Sequence, residues 1–186
     1  MPYGLLTPDM EALVAEHVSG SVVWDLGAGD LIYALRLLEL GAGHVVAIDK
    51  DLVQINTPAG AGLTLRRDYF ADIEPVGEIE VAFLSWPRNG AIWGLEDLLA
   101  KARKVIYLGC NTGGSACADE HLFRSQLCPR ELLGHIPHPR NSLLVYGEQG
   151  KRTGPLTGEE FAVLSRTLMA FEEAQEAARQ ATEHWR

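Results

Sequence analysis

The stretch Ser21–Asp51, SVVWDLGAGDLIYALRLLELGAGHVVAIDKD, constrains this chain more than any other. Its first residues, Ser21–Trp24, are β-branched or aromatic and almost wholly apolar, the composition of a strand buried on both faces. The run ends in Asp25 and is broken by Gly27 and Gly29. From Asp30 onward apolar residues recur at Ile32, Leu35 and Leu38, with Leu31 and Leu37 widening the stripe. This predicts a core-facing helix with Asp30 as its N-cap and the Gly41–Gly43 pair as its stop. A second apolar run, Val45–Ile48, then ends in Asp49. The order is strand, glycine turn, helix, strand, acid.

Such a unit makes a nucleoside site. Without Cβ atoms, Gly27 and Gly29 allow a tight turn and a close approach of ligand to backbone. The first amides of the following helix carry the positive end of its dipole. Asp49, at the tip of the next strand, is placed to accept hydrogen bonds from a ribose hydroxyl pair. A dinucleotide fingerprint wants a third glycine three residues after the second, and that position is Ile32. An acid just before the turn, Asp25, is also unusual for a dinucleotide site, whereas it suits a cationic amino group. A nicotinamide or flavin cofactor and a purely structural glycine turn remain the competing readings.

The pattern Asp25-Leu26-Gly27-Ala28-Gly29 followed by Ile48-Asp49 resembles the S-adenosylmethionine-binding motifs of class I methyltransferases. It departs at Leu31, where that family commonly has another glycine. The resemblance spans about Thr7 to Gly147. It implies a doubly wound α/β fold: a mostly parallel seven-stranded sheet with a terminal antiparallel hairpin and helices on both faces. It also implies S-adenosyl-L-methionine as cofactor, held by Asp25, Gly27, Gly29, Asp49 with its neighbour Lys50, and Asp68 with Tyr69 beside the adenine. In amino-group methyltransferases an aromatic residue followed by Thr-Pro often precedes the glycine motif. Tyr3 and Thr7-Pro8 are similar to that arrangement with looser spacing, although Thr as N-cap and Pro at the first helical position explain Thr7-Pro8 equally well.

For the acceptor side the resemblance points to Ser85, Trp86 and Pro87, at the end of a predicted strand Val81–Trp86. Amino methyltransferases carry Asp, Asn or Ser there, then Pro-Pro and an aromatic residue. Here Trp86 replaces the first proline and Arg88 the aromatic. A serine orients an amine but does not deprotonate one at neutral pH. An amino or other nitrogen acceptor therefore fits best, and a hydroxyl acceptor would need a base from elsewhere, such as His121, His135 or His138. The acceptor itself, whether small molecule, protein side chain or single extruded base, is left open. A non-catalytic methyltransferase-like subunit that binds cofactor or a partner protein is the rival reading, favoured by the altered Ser-Trp-Pro-Arg run.

The rest of the chain reads consistently with one α/β domain. A helix from Thr7 buries Met10, Leu13, Val14 and Val18. A short crossover, Asp51–Gly62, leads to a third strand, Leu63–Phe70, and barely suffices for parallel pairing. The helix Ala91–Ala102, the fifth strand Lys104–Leu108 and a helix over Ser115–Leu127 follow. Leu132–Ile136 and Ser142–Tyr146 then read as a hairpin. Residues 1–150 thus form the cofactor-binding domain. Residues 151–186 form a linker and a terminal helix, opened by a capping box of Thr157 and Glu160, that projects or mediates homo-oligomer packing.

Composition excludes more than it selects. A net charge of −9 leaves no basic footprint for duplex nucleic acid by this chain alone, and the acidity is not confined to the terminal helix. No apolar run approaches the roughly 20 residues a membrane span needs. The N-terminus lacks a secretion signal, so a cytoplasmic setting is expected. Cys110, Cys117 and Cys128 match no compact zinc pattern, even with His121. Reduced thiols and no metal site are the expectation.

Overall fold

The computed structural model of the chain describes residues 6–52, 62–74, 77–87, 93–109, 122–127, 129–138 and 142–152, with positions 155, 157, 158 and 162 beyond them. Seven strands form one sheet: β1 (Val22–Leu26), β2 (His44–Ile48), β3 (Leu63–Arg66), β4 (Ile79–Ser85), β5 (Ala102–Gly109), β6 (Leu132–Ile136) and β7 (Ser142–Tyr146). Their order across the sheet is β3-β2-β1-β4-β5-β7-β6. The first five are parallel, and β7 runs antiparallel between β5 and β6. The expected hairpin is therefore present with the expected bounds. It inserts its second strand against β5 and leaves β6 at the edge.

Strand order reverses at β1, which lies between β2 and β4. In open α/β sheets the crevice at that reversal, outside the carboxyl ends of the strands, is where ligands bind. Alternation along the strands divides the core in two. Val23, Val45, Ala47, Val81, Phe83, Ile106 and Leu108 face α1 (Pro8–Val18) and α2 (Ile32–Glu39). Ile48, Ala82, Leu84, Val105 and Tyr107 face α3 (Leu95–Ala100) and the 3-10 turn Phe70–Asp72.

α1 starts as the sequence requires: Thr7 is its N-cap, accepting the Met10 amide on Oγ1 at 3.3 Å, and Met10, Val14 and Val18 are buried. α2 differs from expectation in two ways. Its N-cap is Leu31, not Asp30, and Leu31 has left-handed backbone (φ 67°). Its core-facing residues are Leu31, Ala34 and Leu37, while Ile32 and Leu35 are each 42% exposed. The predicted stripe is thus turned by one residue. Both choices repeat every three residues, and the one taken places the small Ala34 against the sheet, which lets the helix sit close.

Other boundaries move modestly. β3 stops at Arg66 rather than Phe70, because the chain folds into the 3-10 turn, whose Phe70 packs on the core. β5 begins at Ala102, which shortens the described part of the preceding helix to Leu95–Ala100. Of the predicted Ser115–Leu127 helix, the described part is Leu122 and a π-helical turn over Phe123–Leu127. The 51–62 crossover beyond Leu52, the cysteines and all but isolated positions of the terminal helix lie outside the described residues. Among the described residues no helix is long and apolar enough to cross a membrane.

At the amino edge of the parallel strands one side chain ties several elements together. Arg130 is fully buried, and its guanidinium donates to four backbone carbonyls: Gln126 (2.9 Å), Ala102 (2.8 Å), Gly147 (2.8 Å) and Leu99 (2.5 Å). Burial pushes its pKa down to about 10, against a raising influence from Glu148. The sequence reading passed over this residue, since a lone arginine after a proline carries no motif.

Candidate functional site

The site is built at the carboxyl ends of β1, β2, β3 and β4. Asp25 is the penultimate residue of β1. Its register neighbours are Ala47 on β2 and Phe83 on β4, so its side chain shares the face of Val23 and Phe83 under α2. It is fully buried, and neither carboxylate oxygen has a hydrogen-bond partner among the described residues. Burial, reinforced by the negative charges of Asp49 and then Asp30, pushes its pKa up to about 7. A buried charge without a partner is costly, so an orphaned carboxylate at a crevice marks a position where a cation is to be supplied from outside.

Immediately after β1 the chain turns through Gly27 (φ 90°) and Gly29 (φ 50°). These dihedrals are ones that other residues rarely adopt, and a Cβ built on Gly27 meets no atom within 4 Å. The turn is fixed from the β2 side. Ile48 O accepts the amides of Gly27 (2.8 Å) and Ala28 (3.0 Å). Asp49 Oδ2 accepts the Gly29 amide at 3.1 Å, while Oδ1 accepts the Asp51 amide at 2.8 Å. Each oxygen keeps a second lone pair, so Asp49 can still accept from a ligand hydroxyl.

Leu31, the position at which the methyltransferase pattern usually has glycine, resolves that departure. It adopts the left-handed conformation a glycine would take freely, at a cost of about 1–2 kcal/mol. Its side chain is fully buried in the α1–α2 core, worth about 1.5–3 kcal/mol. Burial offsets strain, and the turn keeps its shape without the third glycine.

The remaining predicted residues separate. Lys50 is ion-paired with Asp51, which raises its pKa, and it senses Tyr69 and Asp49 nearby, so these three belong to one neighbourhood. Tyr69 is 62% exposed. Asp68 is bound through Oδ2 to Arg66 Nε at 3.0 Å. Thr7 uses its hydroxyl as a helix cap, and nothing among the described contacts links it to the crevice. Ser85 and Pro87 are half-buried at the end of β4, beside the crevice mouth. Tyr3, Arg88 and His121 fall outside the described residues.

Trp86 departs most from a simple substrate-stacking role. It has left-handed backbone (φ 49°), one of two non-glycine residues with positive φ among the described residues, the other being Leu31. Both therefore flank this site, where backbone strain tends to be stored. Its amide donates to Leu108 O at 2.8 Å. Tyr33, in the first turn of α2, packs its ring on Phe83 with centroids 5.6 Å apart. Burial, then the charges of Asp25 and Asp30, push the phenol up to about 12, with Trp86 nearby pulling the other way. Sequence reasoning missed Tyr33. The one available signal was an aromatic residue three positions after Asp30, inside a stripe otherwise made of leucine, isoleucine and alanine.

No protein-family model and no curated protein matches the chain in sequence. Solved structures do match in fold. The ribosomal protein L11 methylase of Lactobacillus delbrueckii subsp. bulgaricus is similar over 79% of this chain and 81% of its own, at 18% identity and a TM-score of 0.51. A Listeria monocytogenes protein proposed to be an S-adenosylmethionine-dependent methyltransferase matches over 76% of this chain and 96% of its own, at 12% identity and a TM-score of 0.55. A Streptococcus thermophilus protein proposed to be a hemolysin covers 90% of this chain and 74% of its own, at 16% identity and a TM-score of 0.57. Together with the strand order, these likenesses establish that the chain has the class I methyltransferase-like fold.

Proposed function

We propose that the protein is an S-adenosyl-L-methionine-dependent methyltransferase acting on an amino or other nitrogen acceptor. The observation that carries this reading is the Asp25 carboxylate, fully buried and without a hydrogen-bond partner among the described residues, at the point where strand order reverses. The residues present fit the cofactor. Asp25 would hold its ammonium group, Asp49 its ribose hydroxyls and Asp68 its adenine amino group, while the bare turn at Gly27 and Gly29 leaves room for it. When bound, the cofactor supplies a methyl group activated by a sulfonium. The chain contributes alignment and exclusion of water, which do most of the work in an in-line displacement. Ser85 accepts a hydrogen bond from the acceptor amine and orients its lone pair. No base lies within Ser85–Pro87, which is why nitrogen suits this turn better than a hydroxyl.

The second reading, a non-catalytic subunit of the same fold, is supported by Trp86, whose indole nitrogen is buried rather than offered to an acceptor. Two measurements separate the readings. Calorimetry is expected to show S-adenosylmethionine binding and no binding of nicotinamide or flavin dinucleotides. Mass spectrometry of a cell extract incubated with the protein and methyl-labelled cofactor is expected to show a labelled acceptor. Absent binding ends the cofactor reading; binding without any labelled acceptor favours the non-catalytic subunit.

A further inference from the structure

We propose that Trp93 and Tyr69, framed by the carboxylates of Asp72, Glu74 and Asp97, form a rim that docks a polypeptide segment carrying several lysine or arginine side chains. That this segment also carries the methylated nitrogen rests on the reading above. The docking itself does not.

One backbone contact assembles the rim. Gly94, the N-cap of α3, has left-handed backbone (φ 82°) and lies flush on the 3-10 turn Phe70–Asp72. A Cβ built there would fall 2.3 Å from Ala71 N and 2.5 Å from both Ala71 Cα and Phe70 C. No side chain fits that space, so glycine is what lets the turn after β3 meet the start of α3. Tyr69 stands immediately before the turn, and Trp93 immediately before the glycine. The contact therefore sets the two aromatic residues on the flanks of one junction. It lies at the carboxyl edge of the sheet, the edge that also carries Asp25 and Asp49.

The fold buries neither ring. Trp93 is 85% exposed and Tyr69 62%, whereas their neighbours Phe70, Ile73 and Leu95 pack on the core. Large aromatic side chains left in water forgo much apolar burial, and they are the usual anchors of recognition surfaces.

Charge selects the occupant. Segments 68–74 and 93–97 hold Asp68, Asp72, Glu74, Glu96 and Asp97 and not one lysine, arginine or histidine. Asp68 is taken by Arg66, and Glu96 accepts from Ser125. Asp72, Glu74 and Asp97 are exposed and form no salt bridge among the described residues. Lys50, a cation of the same edge, is committed to Asp51. Ring faces beside such carboxylates attract a cation by cation–π contact and by charge together. The same carboxylates repel a phosphate backbone, which disfavours a stacked single strand of nucleic acid. Because both segments carry carboxylates, one small cation leaves most of them unmatched. A polypeptide with several cationic side chains matches them and lays its methylene stems on the rings.

The probe is a short peptide of alternating arginine and glycine, with its glutamate–glycine counterpart as control. Calorimetry on the full chain is expected to show binding of the arginine peptide alone, weakening as salt rises. Trp93→Ala, with a melting curve matching wild type, should weaken binding by about threefold to tenfold at unchanged net charge. Trp93→Phe should recover most of the loss. Asp72→Asn combined with Asp97→Asn should weaken binding by about threefold or more. Glu16→Gln with Glu131→Gln removes the same charge from the amino edge and should change it by less than about twofold. Absent peptide binding, equal losses in the two double variants, or no loss in Trp93→Ala overturns the proposal. So does a single-stranded oligonucleotide that binds in a Trp93-dependent way while the arginine peptide does not. If the peptide docks with these dependences while S-adenosylmethionine fails to bind, the rim stands and the cofactor reading falls. The reverse result removes the rim and leaves the cofactor reading intact.

Discussion

Two charged side chains are completely buried among the described residues, and they lie at opposite edges of the same sheet. Arg130, at the amino edge, spends its guanidinium on carbonyls from the π-helical turn, α3, β5 and the end of β7. Asp25, at the carboxyl edge, spends its carboxylate on nothing among the described residues. The difference separates architecture from function better than burial alone does. A satisfied buried charge fixes elements that no single apolar contact would register. An unsatisfied one destabilises the empty protein and is tolerated where a ligand completes it. The same logic explains why the two described non-glycine residues in left-handed backbone, Leu31 and Trp86, gather at the carboxyl edge.

Breaking the satisfied end should have the largest effect. Arg130→Ala strips four buried carbonyls of their donor and is expected to cost roughly 3–5 kcal/mol, a large share of a typical domain's stability. Thermal or urea unfolding reads this directly. Arg130→Lys keeps the charge but cannot reach the same fork of carbonyls, so it should recover only part of the loss. A melting temperature unchanged by Arg130→Ala would mean that water replaces the guanidinium at no cost, and the contrast would dissolve.

The unsatisfied end should respond with the opposite sign. Asp25 retains its proton to about pH 7 in the folded chain but only to 3.8 in the unfolded one. Between these values the folded state holds more protons, so raising the pH removes stability. The difference of about three units corresponds to something on the order of 4 kcal/mol, fully lost above pH 7 and fully present below pH 4. Asp25→Asn cannot ionise. Its melting temperature should therefore exceed that of the wild type by an amount growing from near zero at acid pH to roughly 10 °C at about pH 8. The same variant should lose calorimetric binding of S-adenosylmethionine. A gain in stability coupled to a loss of binding is the signature of a site held ready for a ligand.

Much of this was legible in the chain because apolar periodicity and glycine placement report directly on backbone geometry. β1, β2 and the terminal hairpin fell near their predicted bounds, and Asp25, Gly27, Gly29 and Asp49 lie together at the carboxyl ends of β1 and β2. What was hidden depended on side chains meeting across distant segments. Leu31 looked like a defect in the motif, since sequence cannot tell that a buried leucine offsets the strain of a left-handed turn. Trp86 was read from its neighbours Ser85 and Pro87, whereas its left-handed backbone is held by an amide bond to Leu108 on another strand. Arg130 had no signal at all, because its four partners are backbone carbonyls, which every residue possesses. The rotation of α2 by one residue shows the limit of periodicity itself: Leu31-Ala34-Leu37 and Ile32-Leu35-Leu38 are equally spaced, and packing chose between them.

The smallest expected effect sharpens the comparison most. Asp30 lies in the solvent-exposed part of the glycine turn, where its Oδ1 accepts the Ile32 amide at 3.4 Å. It stands last among the causes that hold the proton on Asp25, after burial and Asp49. Asp30→Asn keeps an oxygen acceptor for Ile32 and removes only the charge. The Asp25 titration midpoint should move downward by less than about one pH unit, the scale of an exposed charge–charge interaction. Because that charge is screened by ions, the difference between Asp30→Asn and wild type should shrink as salt is raised, while the much larger effect of burial persists. The pH dependence of the melting curve at low and high salt measures both. A midpoint that falls to the ordinary carboxylate range in Asp30→Asn would mean that repulsion, not burial, holds the proton, and Asp25 would then be wetter than its position beneath α2 implies.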